Sequence, residues 1–183
     1  MKSSVLVRIA LSASLVMVSF YFFRGIANLL NAVTVPLVLY GCGMNLIKRE
    51  RLLMNAGVLM TGIILFPRQV FFLMGYVLIA SAITTLLRSK MTLLMRFVIL
   101  SVFLAGVLHT GLLLTDAVFN TGLVPFFLAL FQGRWSYYTA MVAGEGILVA
   151  FLLLNTATVL DKQLGMKNQR VRQDAPMQQK APE

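Results

Sequence analysis

Six apolar runs dominate this chain. Val5 to Phe23, Ile26 to Ile47, Leu52 to Phe66, Val70 to Leu87, Met91 to Thr115 and Tyr137 to Leu160 carry very little charge, and short polar or basic clusters divide them. A helix needs about 20 consecutive apolar residues to cross a hydrocarbon layer of ~30 Å. One large water-soluble core would not require such blocks. Composition agrees: 59% of the residues are hydrophobic and 12% are charged, against roughly 25% charged in soluble domains. A soluble globule, a disordered chain and a nucleic-acid-binding domain are poor fits. The expected class is an all-α integral membrane protein.

The net charge of +10 comes from sixteen Lys and Arg against six Asp and Glu. In a soluble protein that excess would point to a polyanion partner. Between membrane spans it records which loops face the cytoplasm, so no nucleic-acid partner is expected. The first run follows Lys2 and carries Arg8. No small-residue cleavage site succeeds it, because Phe20, Tyr21, Phe22, Phe23 and Arg24 come next, so an uncleaved signal-anchor helix is expected. Pro36 and the Gly41/Gly43 pair in the second run are tolerable inside a helical bundle.

A seventh stretch, Ala117 to Phe131, is apolar but broken by Asn120, Gly122 and Pro125. If it does not cross, Lys2, Arg8, Lys48, Arg49, Arg51, Arg88, Lys90, Arg96, Lys162, Lys167, Arg170, Arg172 and Lys180 share one side. That is thirteen basic residues against three (Arg24, Arg68 and Arg134). If it crosses, the five tail charges move out and Arg134 moves in, leaving nine against seven. The positive-inside rule favours the first arrangement. The sequence therefore predicts a six-transmembrane-helix bundle over 1–160 with both termini cytoplasmic. The 117–131 stretch becomes a re-entrant or interfacial segment on the outer face, near the interfacial aromatics Trp135, Tyr137 and Tyr138. Residues 161–183, rich in Lys, Arg and Gln, bury too little apolar area to fold alone and are expected to be a disordered or surface-associated tail.

Catalytic signatures are absent. One His and one Cys leave a zinc or di-iron site without ligands, and no glycine loop of the G-x-x-x-x-G-K type cradles a phosphate. Ser12, Ser14, Ser19, Ser81 and Ser101 suit bonds to helix carbonyls or packing between helices. The lone Cys42 has no partner for an internal disulfide. Neither an enzyme nor a cofactor is expected.

Four ionisable residues stand out as a candidate ligand site. Glu145, in Ala143-Gly144-Glu145-Gly146, lies ~12 Å along its helix from Tyr137 at ~1.5 Å per residue. A carboxylate at that depth is costly in lipid and should face the bundle, a partner or a cavity. His109 and Asp116 are seven residues apart and project from one helix face. Arg68, beside Pro67, could reach the same region. These four form either a polar pocket in the outer half or a structural ion pair with a packed histidine, and a proton relay is a third reading. On the first helix, Ala10 and Ser14, with Ala13 beside them, have the small-x-x-x-small spacing that lets a second helix approach closely. They form a candidate partner-docking face. Ala80 with Thr84 and Ala140 with Gly144 repeat the spacing.

Six short helices with both ends inside resemble the substrate-binding S subunits of energy-coupling-factor transporters. The opening Arg8-Ile-Ala10-Leu-Ser-Ala13-Ser14 is similar to that family's first helix, where an Ala-x-x-x-Ala motif docks on a coupling subunit. Here Ser14 replaces the second Ala. Val35-Pro36-Leu-Val-Leu-Tyr40-Gly41, with the basic turn and Phe66-Pro67 after it, also looks like helices two and three of such subunits. The resemblance implies a non-catalytic bacterial membrane subunit that binds a small molecule in its outer half and docks on partner membrane proteins for uptake, with a separate ATPase. The alternative is a scaffold or accessory subunit without a ligand, similar to the rod-shape-determining protein D family.

Overall fold

The computed structural model describes residues 3–23, 28–44 and 46–173. It contains helices α1 (Ser3–Phe22), α2 (Asn28–Gly43), α3 (Lys48–Leu65), α4 (Val70–Arg88), α5 (Leu93–Phe119), α6 (Leu123–Leu130) and α7 (Trp135–Gln173), with a 3-10 turn at Pro67–Gln69 before α4. No strand occurs among the described residues. Each of the six apolar runs forms the body of one long helix.

Four helices are long and apolar enough to cross a membrane: α1, α4 with its preceding turn, α5, and α7 as far as Gln163. The other two are shorter in their apolar part. In α2 it is Leu29–Gly43, ~22 Å at 1.5 Å per residue. In α3, Lys48, Arg49, Glu50 and Arg51 occupy the first turn. The structure is thus an all-helical bundle of membrane-protein composition.

Local chemistry sets the helix ends. The Glu50 carboxylate accepts from the Ile47 backbone N–H (3.3 Å) at the start of α3, and Pro67 prevents α3 from continuing into α4. Thr92 caps α5 by accepting from the Met95 N–H. Arg96, one turn inside α5, reaches back so that its Nη2 donates to the Ser89 carbonyl (2.6 Å). That keeps the charge at the helix end while its stem lies along the bundle. At the other end of α5, Asn120 adopts a left-handed conformation (φ 48°) and Gly122 another (φ 68°), and the chain turns into α6. Eight residues make α6 ~12 Å long, well short of a ~30 Å core.

The helices run up and down. Helix α1 packs on α2 and α3, α2 on α4 and α7, and α5 on α4 and α7. Phe71 at the start of α4 meets Phe119 at the end of α5 (6.2 Å between rings). Near the end of α2, the Tyr40 hydroxyl donates to Asp161 Oδ1 of α7 (3.0 Å). Tyr76 is fully buried and lies beside Phe20 and Phe72 in an aromatic spine through α1 and α4. Gly146 lets α7 close on α5: a Cβ there would lie 2.9 Å from the Ala105 nitrogen. A further polar link joins α1 to α2, where the buried Ser19 hydroxyl meets Asn31 Oδ1 and Thr34 Oγ1, both at 2.8 Å. Ser12, Ser81 and Ser101 bond to carbonyls of their own helices. Outward positions of all six long helices carry exposed apolar side chains, among them Val7, Leu30, Ile64, Leu78, Val102 and Phe151. That surface suits lipid rather than water.

One boundary differs from expectation. The segment 161–183 is expected from its composition to be a disordered or surface-associated tail, and α7 continues into it as far as Gln173. Residues 161–173 contain no Pro and only one Gly, at 165. Loss of hydropathy there ends the apolar span without breaking the helix, which runs ~18 Å beyond Asp161 at 1.5 Å per residue. Residues 174–183 lie outside the described part.

Candidate functional site

The ionisable residues singled out in the sequence are distributed over one end of the bundle. Glu145 is half-buried on α7, on the side that carries the buried Tyr138, Val142 and Val149. Its carboxylate lies within electrostatic range of the Tyr76 hydroxyl on α4 and of the Tyr138 hydroxyl on α7. His109 is half-buried on α5, and its ring sits 5.5 Å from the Tyr138 ring, tilted by 51°. Trp135 packs edge-on against the other side of Tyr138 (5.6 Å, 89°).

Two polar atoms in this cluster have no hydrogen-bond partner. They are His109 Nδ1 and the hydroxyl oxygen of Tyr138, both shielded from solvent. Tyr138 is fully buried. One turn and a half along α5 from His109, the buried Thr115 hydroxyl is likewise without a partner. A buried polar group left unsatisfied costs ~1–3 kcal/mol, and three such atoms lie along α5 and the start of α7.

The sequence placed His109 and Glu145 at similar depth. In the structure the His109 ring meets the Tyr138 ring, and Glu145 follows Tyr138 by seven residues on α7. Helix α7 packs on α5 in a register that sets Gly146, next to Glu145, on Ala105, one turn before His109. Tyr138, against His109 and within electrostatic range of Glu145, was legible only as an interfacial aromatic. The signal that could have found it is its seven-residue spacing to Glu145, which repeats the His109 to Asp116 spacing on the facing helix.

Asp116 and Arg68 have other surroundings. Asp116 Oδ1 accepts from Thr121 Oγ1 (2.8 Å) and from the Leu123 N–H (2.9 Å), so the carboxylate ties the end of α5 to the first turn of α6. It remains within electrostatic range of Tyr138. Arg68 is exposed in the turn before α4 and lines a shallow dent with Leu65, Phe66, Pro67 and Gln69. The structure does not bring it into contact with the cluster.

On α1, Ala10 and Ser14 face outward with Val7, Leu11 and Val18, whereas Ala13 turns inward against the core. The small-residue stripe is open along one side of the bundle. Among the described residues, no group of three or more His, Cys, Asp or Glu could hold a metal ion.

No family model, curated protein or solved structure matches this chain.

Proposed function

We propose that this chain is a non-catalytic multi-pass subunit of a bacterial inner membrane, with an S-subunit-like role. It binds a small hydrogen-bonding molecule at the α5–α7 seam and docks on partner membrane proteins for uptake. In this reading the chain crosses six times with both termini cytoplasmic. The short α2 and α3 are accommodated by local thinning and by snorkelling of Lys48 and Arg49. The observation that carries the ligand reading is the pair of buried, unpartnered atoms, Tyr138 Oη and His109 Nδ1, beside Glu145. A hydroxyl, an imidazole nitrogen and a carboxylate offer a guest both acceptors and a donor. Arg68, exposed in the turn before α4, would meet an anionic group of the guest.

Tyr138→Phe separates the possibilities. Without a guest, removing the unsatisfied hydroxyl should raise stability by about 1–3 kcal/mol, and small molecules that co-purify with the wild-type protein should be absent from the variant by mass spectrometry. The same complement of small molecules in both proteins, with unchanged stability, would refute the ligand site.

The second reading is a scaffold or accessory subunit with no ligand, and the outward Ala10/Ser14 stripe on α1 favours it. A photo-crosslinker at Ala10 would then capture a partner while Tyr138→Phe had no consequence beyond stability.

A further inference from the structure

At the end of the bundle opposite the Tyr138 cluster, α2, α4 and α7 diverge around a cavity of about 130 Å³. Its wall is formed by Tyr40, Met44, Thr84, Leu87, Arg88 and Asp161. The chemistry is divided. On one side Asp161 accepts the Tyr40 hydroxyl through Oδ1 and keeps its other oxygen open. On the other side Arg88 is exposed at the last turn of α4. A second guanidinium comes from α3: Arg51 lies over Gly43 at the end of α2, and it shares with Arg88 electrostatic range of the Tyr40 hydroxyl. Arg51 Nε is buried and has no hydrogen-bond partner, and neither guanidinium is held by a carboxylate among the described residues.

An unpaired guanidinium and a half-used carboxylate on the wall of the cleft, with the second guanidinium acting on the same Tyr40 hydroxyl, are suited to a guest carrying both charges. Guanidinium groups bind phosphate oxygens in charge-assisted, frequently bidentate geometry, and a carboxylate accepts from an ammonium. The cleft lies where apolar helices give way to basic turns, which is the level of a membrane's head groups. We propose that this cleft binds a phosphoethanolamine group, with the phosphate on Arg88 and Arg51 and the ammonium on Asp161. The group can arrive as the head group of an aminophospholipid or as a soluble phosphate ester. The proposal is independent of the Tyr138 site and of any docking through α1.

The full-length protein in detergent would be titrated with phosphatidylethanolamine, phosphatidylglycerol and phosphatidylcholine of equal chain length, and with soluble phosphoethanolamine. Retention would be followed by native mass spectrometry. Phosphatidylethanolamine should bind about tenfold more tightly than the other two lipids, the effect of one ammonium–carboxylate hydrogen bond. Asp161→Asn should erase that preference, and Arg88→Ala should weaken binding of every phospholipid about tenfold. Lys90→Ala, an exposed charge on the next turn and outside the cleft, should change neither. Arg88→Gln reports the same loss should the alanine variant fail to fold. Soluble phosphoethanolamine binding as tightly as the lipid would identify the free ester as the guest, and weaker binding would identify the lipid. Equal retention of all three lipids, or an equal loss in Lys90→Ala and Arg88→Ala, would overturn the proposal.

Discussion

Single residues show how far spacing alone carries an argument in a membrane helix. His109 and Asp116 do share a face of α5, as seven residues require, but their neighbours decide their work. Asp116 is taken up by Thr121 and Leu123, because the left-handed residues Asn120 and Gly122 swing the first N–H groups of α6 back over the end of α5. Nothing in the linear pattern gives that fold-back, since it depends on two φ angles. The same residue makes a sharp test. Asp116→Ala removes both bonds and leaves the start of α6 uncapped, so it should lower stability by about 1–2 kcal/mol. Thermal unfolding in detergent would measure it, and an unchanged midpoint would refute the clamp. Glu145 was legible as an inward group because carboxylates in lipid are costly. Its tyrosine neighbours were not, since tyrosine reads equally well as a membrane-interface residue.

Elements were easier to read than sites. The apolar runs located six long helices because length and hydropathy are properties of contiguous sequence. Their ends followed where Pro67, Thr92 and the basic turns supplied local signals. The end of α7 did not follow: hydropathy falls at Leu160, whereas the backbone remains helical to Gln173. Burial and helicity are separate properties, and only the first is lost there. Helix register was also hidden, because it depends on which small residue sits at the contact. Gly146 fits the Ala105 backbone so closely that any Cβ forces α5 and α7 apart, whereas Gly144, two residues earlier, has nothing within 4 Å of the equivalent position. Gly146→Ala is therefore expected to lose about 1–3 kcal/mol to overpacking. Gly144→Ala should be neutral or gain up to ~1 kcal/mol from helix propensity. Unfolding midpoints of the two variants that fell together would contradict the observed seam.

At the scale of the molecule, polar and ionisable side chains collect at the two ends of the bundle. Tyr40, Arg51, Arg88 and Asp161 gather at one end of the bundle, and Arg96 turns back to Ser89 nearby. His109, Asp116, Trp135 and Tyr138 gather at the other. The six crossings proposed for this chain would put the first group with thirteen of the sixteen basic residues and leave α6 as a short interfacial helix. Both functional proposals depend on which water each end meets. Labelling of single cysteines in intact cells with a membrane-impermeant maleimide, in a Cys42→Ser background, tests this directly. Gln132→Cys, just after α6, should label. Lys90→Cys and Lys162→Cys should label only after the cells are opened. Labelling of Lys162→Cys in intact cells would contradict the six-crossing arrangement.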